Sequence, residues 1–133
     1  PISFVDDVTV PPKHLAQFIQ DLQKIFSKNK IKAVIYGHAG EGNLHLRPFI
    51  NGEDWKSKAK IVADQCMKLV FKYGGSITGE HGSGRSRAPY LKQEWGNAVH
   101  PYFLQIKKIF DPKDLFNPGV MFSKNNILKN IKY

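Results

Sequence analysis

The spacing of apolar residues along the chain changes between a strand-like and a helix-like period. The β-branched stretch at residues 2–10 predicts a first strand, and the two prolines after it predict the start of a helix. This helix is expected to run to about Ser27, because apolar residues recur at helical spacing: Leu15, Phe18, Ile19, Leu22, Ile25 and Phe26. Residues 31–38 and 43–50 predict two further strands, which are joined by a glycine-rich turn.

The second half of the chain also alternates between helix-like and strand-like spacing of apolar residues. An apolar face through residues 55–73 predicts a long helix, and residues 76–78 predict a short fourth strand. A last helix is predicted at residues 98–110, ending at Asp111-Pro112. The order of these elements is that of the split β-α-β, ferredoxin-like arrangement. We therefore expect one α+β domain, with an antiparallel sheet, helices on one face and an added C-terminal helix. A compact turn and a basic tail follow.

The length and composition narrow the class of protein. The chain has 133 residues, which suffice for one ordinary domain. Its single cysteine, Cys66, excludes a disulfide framework and indicates a reducing compartment. No apolar run approaches the roughly 20 residues that a membrane span needs. We therefore expect a cytoplasmic protein, either free or peripheral at the inner face of a membrane.

The net charge of +9 admits two interpretations. A basic domain can bind nucleic acid, and a basic ferredoxin-like module that binds RNA or DNA is the alternative function. However, the lysines are scattered over helices and tail, which favours a solvated surface or the attraction of anionic substrates.

The turn between the second and third predicted strands carries two histidines, in the stretch GHAGEGNLH at residues 37–45. If residues 40–43 form the turn, His38 lies directly opposite His45, and opposed residues share one face of a sheet. Two such imidazoles can chelate a divalent ion, although either can also be an ordinary hydrogen-bonded histidine. Strand alternation adds Tyr36 and Arg47 to this front face. Leu44 and every second residue from it along the strand face the helices instead.

A second glycine-rich segment, GEHGSGR at residues 79–85, supplies further candidates. Glu80 is the natural third metal ligand, and His81 can remain free as a base, since imidazole titrates near neutrality. The same segment could instead cradle a phosphate, but the Glu80 carboxylate would repel it. Arg85 and Arg87 are then either anion contacts or surface charges.

Three motifs give the chain a family resemblance: YGHAGEGNLHL at residues 36–46, GGSITGEHG at 74–82 and DPKDLFNPG at 111–119. Together they resemble the C-terminal, substrate-capping domain of FAD-linked oxidases of the vanillyl-alcohol-oxidase type. The branch they look like contains D-lactate dehydrogenase, the glycolate oxidase flavin subunit and D-2-hydroxyglutarate dehydrogenase. The continuation at residues 85–91 is most similar to members that are fused to, or partnered with, iron–sulfur modules.

The resemblance implies FAD as the cofactor, a small D-2-hydroxy acid as the substrate and a divalent metal that orients it. His38, His45 and Glu80 match the metal ligands of the family, and the metal would be zinc, manganese or iron. His81 matches the histidine that takes the proton from the substrate hydroxyl while hydride passes to the flavin.

The resemblance also implies cofactor contacts and a larger protein. Asn117 matches a position at the flavin ring, and Asn43 is expected to bind the cofactor as well. Arg47 and Tyr36 are expected to bind substrate, an expectation that rests for Arg47 on its place on the front face. Residues 1–133 would form the C-terminal part of the cap domain, without the FAD-binding domain, so that the chain alone would be inactive. An iron–sulfur module or subunit is the expected electron acceptor, with no nucleic acid partner.

Overall fold

Three strands form an antiparallel sheet in the computed structural model, which describes residues 4–122. The strands are β1 (Val8–Thr9), β2 (Lys32–His38) and β3 (Asn43–Phe49), in the order β1-β3-β2. Ser76 adds an isolated antiparallel bridge to Thr9 of β1, so the fourth predicted strand is reduced to a single bridge. The α+β class and the split β-α-β order of elements are confirmed.

The first strand is much shorter than the sequence predicted. Within the described residues only Val8–Thr9 pairs with β3. The physical reason lies at Asp7, whose φ of +66° turns the chain out of the extended conformation. Phe4 and Val5 still contribute to the core, because both side chains are fully buried.

Two long helices cover the back of the sheet. Helix α1 (Leu15–Lys28) and helix α2 (Trp55–Lys72) have nearly the predicted bounds. Both helices bury their apolar faces in one core with β3, whose members include Phe18, Leu22, Phe26, Leu44, Leu46, Val62, Cys66 and Met67. Burial raises the pKa of the Cys66 thiol to about 12, which fits an inert core residue.

The register of the hairpin differs from the predicted one. Tyr36 lies opposite His45, and His38 lies opposite Asn43, so the predicted pairing of the two histidines is wrong. The reason is the connection, in which a 3₁₀ turn at Ala39–Glu41 is closed by Gly42 at a φ of +68°. The offset amounts to two residues, and therefore every side chain keeps its predicted face.

The C-terminal part of the fold begins earlier than predicted. A short helix, α3 (Gly84–Arg87), leads through a 3₁₀ turn into α4 (Leu91–Phe110), which is interrupted at Gly96. Helix α4 ends before Asp111, as predicted. Of its 20 residues only Leu91 is buried. Large apolar side chains are therefore exposed along it, among them Trp95, Val99, Tyr102, Ile106, Ile109 and Phe110.

Two further predictions concern the C-terminal tail and a membrane-spanning segment. Most of the predicted basic tail lies outside the described residues. Between residues 4 and 122, none of the helices combines the length and the apolar character that crossing a bilayer requires.

Candidate metal centre

Three imidazoles meet at a single carboxylate oxygen on the front of the sheet. The Oε1 atom of Glu80 lies 3.1 Å from Nε2 of His45, 3.3 Å from Nε2 of His81 and 3.6 Å from Nε2 of His38. His38 and His45 come from neighbouring strands, whereas Glu80 and His81 come from the loop after α2. The structure thus brings together all four residues predicted for metal binding and proton transfer.

His45 also contacts a neighbour that sequence reasoning missed. Its Nδ1 lies 3.2 Å from Oδ1 of Asp6. Because a carboxylate only accepts hydrogen bonds, Asp6 favours a proton on Nδ1. The Glu80 carboxylate, 3.1 Å from Nε2, favours a proton on that second nitrogen in the same way. A metal cation between Nε2 and the Glu80 oxygen would take the place of the second proton and leave the Nδ1–H group bonded to Asp6.

The donor set fits a divalent metal. Ligand atoms held tetrahedrally at about 2.0–2.2 Å from one ion lie roughly 3.3–3.6 Å from each other. The separations of 3.1 to 3.6 Å between Glu80 and the three histidines are close to this range. The ligand atoms that all lie within 4.8 Å of one another belong to Asp7, His45, Glu80 and His81. His38 is not in this group, and its role as a ligand stays a prediction supported by the 3.6 Å separation from Glu80.

The loop that carries Glu80 and His81 is folded around the fully buried Asp7. The carboxylate accepts the main-chain N–H groups of Glu80 at 3.0 Å and of His81 at 2.9 Å, together with that of Gly79 at 3.2 Å. It also accepts the side-chain amide of Asn43 at 3.0 Å. Burial alone would raise the pKa of Asp7, but these hydrogen bonds and a nearby arginine together lower it. The carboxylate therefore stays ionised beneath the loop.

Gly79 is required where the loop crosses the sheet. A Cβ atom at this position would lie 2.1 Å from Nδ2 of Asn43, 2.5 Å from Oγ1 of Thr9 and 2.7 Å from Oδ1 of Asp7. Such distances are far inside van der Waals contact, so only glycine lets the backbone approach the Asp7 carboxylate.

Arg87 anchors the far side of the same loop. Its Nη1 donates to the main-chain oxygen of Asp6 at 2.7 Å, and its Nη2 donates to that of Gly82 and lies 3.7 Å from Oδ2 of Asp7. Its side chain is buried, so the expectation of an anion contact or surface charge is wrong for Arg87, whereas Arg85 is exposed. Burial lowers the pKa of Arg87, against the opposing effect of Asp7.

The two predicted substrate-binding residues lie beside the histidines. Nη2 of Arg47 is 2.9 Å from Oδ2 of Asp6, and its Nε donates to the Tyr36 hydroxyl at 3.3 Å. The Tyr36 ring lies 5.1 Å from the His45 ring, centroid to centroid. Their place on the front face is confirmed, and their role towards substrate stays a prediction.

The two predicted cofactor-binding residues lie in different surroundings. Asn43 is buried, and its amide donates to Asp7 and, at 3.2 Å, to Thr9. Asn117 lies in the exposed turn after α4, at a φ of +48°, in a groove whose lining includes Phe103 and Phe116 and none of the clustered histidines. Their contact with a cofactor stays a prediction.

Comparison with known proteins gives a consistent set of relatives. The family model described as "FAD linked oxidases, C-terminal domain" matches residues 1–121. The chain is 33% identical over 127 residues to glycolate oxidase subunit GlcD of Bacillus subtilis. This match covers 94% of this chain and 27% of that protein.

Two further relatives come from other organisms. The D-2-hydroxyglutarate dehydrogenase of Pantoea ananatis is 36% identical over 121 residues, covering 90% of this chain and 12% of its own length. The D-lactate dehydrogenase of Archaeoglobus fulgidus is 32% identical over 118 residues, a match that covers 89% of this chain and 26% of that protein. The chain therefore spans between 12% and 27% of the length of these three curated relatives.

Proposed function

Because the chain belongs to the family of FAD-linked oxidase C-terminal domains, we propose that it forms the substrate side of the active site of a flavin enzyme that oxidises a D-2-hydroxy acid to the 2-oxo acid. The relatives are named for glycolate, D-2-hydroxyglutarate and D-lactate, which all carry a hydroxyl group next to a carboxylate. The observation that supports this proposal best is the convergence of three imidazoles on Glu80.

His38, His45 and Glu80 would hold a divalent metal, which we propose is zinc, manganese or iron. When bound, such an ion lowers the pKa of an oxygen that it coordinates, here the substrate hydroxyl. His81 is the base, and its Nε2 takes the hydroxyl proton. Its main-chain N–H is held by Asp7, while its side chain is 60% exposed and open to a substrate.

Arg47 would bind the substrate carboxylate. Its hydrogen bond to Tyr36 raises the pKa of its guanidinium, and the charge of Asp6 acts in the same direction, against partial burial. The group therefore remains a cation at every physiological pH, and its side chain is 31% exposed on the front face. A guanidinium of this kind recognises a carboxylate by charge-assisted hydrogen bonds.

When bound, FAD would supply the acceptor for the hydride of the substrate carbon. We propose that the flavin is held by a portion of the enzyme outside this chain, since the relatives are roughly four to eight times as long as the matched segment. An electron acceptor with an iron–sulfur cluster remains an expectation that rests on the sequence resemblance alone.

The apolar surface of α4 and the turn after it would pack on that flavin-holding portion. Ile109 and Phe110 are 73% and 80% exposed, and Leu115 and Phe116 are 69% and 68% exposed. The turn is nevertheless ordered, because Asp111 accepts the N–H groups of Leu115 and Phe116 at 2.8 Å each. A surface of this extent in a folded chain is typical of an interface.

The nucleic-acid-binding alternative is not favoured by the family assignment. The front face does expose Tyr36 and Phe49, at 49% and 43%. Base stacking needs such aromatic side chains, but the Tyr36 ring lies against the His45 ring, 5.1 Å between centroids.

The proposed function is tested in the full-length flavin enzyme. His38→Ala, His45→Ala and Glu80→Ala should each lower the metal content and the rate of flavin reduction by the hydroxy acid. His14→Ala is the matched control, since His14 lies against the Tyr73 ring and away from the cluster. Full activity after all three substitutions would rule out the metal mechanism.

A further inference from the structure

We propose that Asp6 is a positioning residue that holds the metal-binding His45 and the substrate-binding Arg47 in a fixed relation. Its Oδ1 lies 3.2 Å from Nδ1 of His45, and its Oδ2 lies 2.9 Å from Nη2 of Arg47. Each oxygen of one carboxylate thus contacts a different functional residue. The inference deepens the proposed function and rests on it for the roles of His45 and Arg47.

The backbone at Asp6 is held from several sides. Its main-chain oxygen accepts Nη1 of the buried Arg87 at 2.7 Å. The preceding Phe4 and Val5 are 1% and 0% exposed, and the following Asp7 is tied to the loop at residues 79–81. The Asp6 side chain is itself only 15% exposed. Its carboxylate therefore has a defined place from which to orient its partners.

The contact with His45 bears on which ring nitrogen binds a metal. When Nε2 binds the ion next to the Glu80 oxygen, Nδ1 carries the proton, and Asp6 accepts this Nδ1–H group. Without Asp6 the ring has no partner for Nδ1–H and is free to turn or to bind through its other nitrogen. Asp6 therefore fixes the orientation in which His45 presents Nε2 to the metal.

The contact with Arg47 places the cation relative to this ligand. The guanidinium is held between Oδ2 of Asp6 and the Tyr36 hydroxyl, and the Tyr36 ring lies next to the His45 ring. The positions that receive the substrate hydroxyl and the substrate carboxylate are therefore set by the same residue. We expect this arrangement to favour acids that carry the two groups on adjacent carbons.

The decisive experiment uses the 133-residue chain loaded with zinc and without flavin. The ¹⁵N shifts of the histidine rings show which nitrogen of His45 binds the metal and which carries the proton. In the wild type Nε2 should bind zinc, and Nδ1 should keep the proton that it donates to Asp6. A wild-type His45 that binds zinc through Nδ1 would overturn the proposal, and this readout needs no variant to fold.

Zinc affinity provides the second readout. Asp6→Asn should weaken zinc binding by about tenfold to a hundredfold, the usual effect of losing the hydrogen-bond partner of a histidine ligand. Glu41→Gln removes an exposed charge from the nearby hairpin turn and should leave the affinity unchanged. Equal losses in the two variants would mean that charge alone matters, which contradicts positioning.

A third readout separates this inference from the proposed function. If the wild type binds no zinc, the metal function fails, and the role of Asp6 is then judged by its contact with Arg47. In the full-length enzyme, Asp6→Asn should also raise the KM for the hydroxy acid through the displaced Arg47. An unchanged KM would count against the coupling of the two residues.

Discussion

The carboxylate of Asp7 accepts the main-chain N–H of His81 at 2.9 Å, although 74 positions separate the two residues in the chain. The same carboxylate accepts the N–H of Glu80, the predicted metal ligand. The loop that bears both residues is thus attached to the sheet through one buried charge. Its stability and the geometry of the site should therefore depend on the same group.

Replacing this charge should destabilise the protein. In Asp7→Asn the amide nitrogen must face either main-chain donors or Arg87, and a buried donor is left without an acceptor. Breaking a buried ion pair from one side costs about 3–5 kcal/mol, which urea unfolding can measure. Asp54→Asn makes the same chemical change at an exposed carboxylate and should cost less than about 0.5 kcal/mol. Similar losses in both variants would contradict the role of Asp7.

The pH dependence follows from the direction of the Asp7 shift. Its pKa is lower in the folded state than the ordinary value of about 3.9. The contribution of Asp7 is therefore fully present above that value and is lost as the pH falls through the folded pKa. The difference in unfolding free energy between wild type and Asp7→Asn should shrink in acid below about pH 4. A constant difference would mean that the ionised form is not what holds the loop.

Gly79 provides a steric test of the same loop. Gly79→Ala places a Cβ against Asn43 and Thr9, and overpacking of this kind costs about 1–3 kcal/mol. Because the loop must move away, the zinc affinity should fall as well. Gly40→Ala is the matched control, since a Cβ there meets no atom within 4 Å. Thermal unfolding and zinc titration measure the stability and the zinc affinity of both variants. Equal stability and equal zinc affinity in the two variants would show that the close approach at Gly79 does not position the site.

The sequence predicted the faces of the hairpin better than its register. Alternation along β2 and β3 placed Tyr36, His38, His45 and Arg47 on one face, and the structure confirms this. The pairing itself depended on where the turn begins, which the several glycines at residues 37–42 left ambiguous. A shift by an odd number of residues would have moved one strand's side chains to the wrong face.

The groups that support the site were harder to predict from the sequence. Asp6 and Asp7 stood inside an apolar, β-branched stretch that predicted a strand, and the only signal was the presence of two acids in such a run. Their roles depend on contacts with His81 and Arg87, which local periodicity does not encode. Helix α4 was predicted too short because Gly96 interrupts its first turns.

A bound metal should stabilise the folded chain through Glu80. At a zinc concentration about 100 times the dissociation constant, binding to the folded state alone adds about 2.7 kcal/mol. Glu80→Gln should unfold like the wild type without zinc, because the side chain is 43% exposed, but should gain much less when zinc is added. Glu41→Gln should respond to zinc as the wild type does. Thermal unfolding with and without zinc measures both, and an equal gain in Glu80→Gln would place the zinc at other groups.

The exposed apolar surface of α4 should contribute to stability only when the flavin-holding portion is present. Phe110 is 80% exposed, so Phe110→Ala should change the unfolding free energy of this chain by no more than about 0.5 kcal/mol. The fully buried Phe18 is the matched control, and Phe18→Ala should cost about 3–5 kcal/mol in the same urea titration. In the full-length enzyme, by contrast, Phe110→Ala should weaken the packing of the two portions and lower the FAD content of the purified protein. Unchanged FAD content and unchanged thermal stability of the full-length variant would show that this surface faces solvent or another partner.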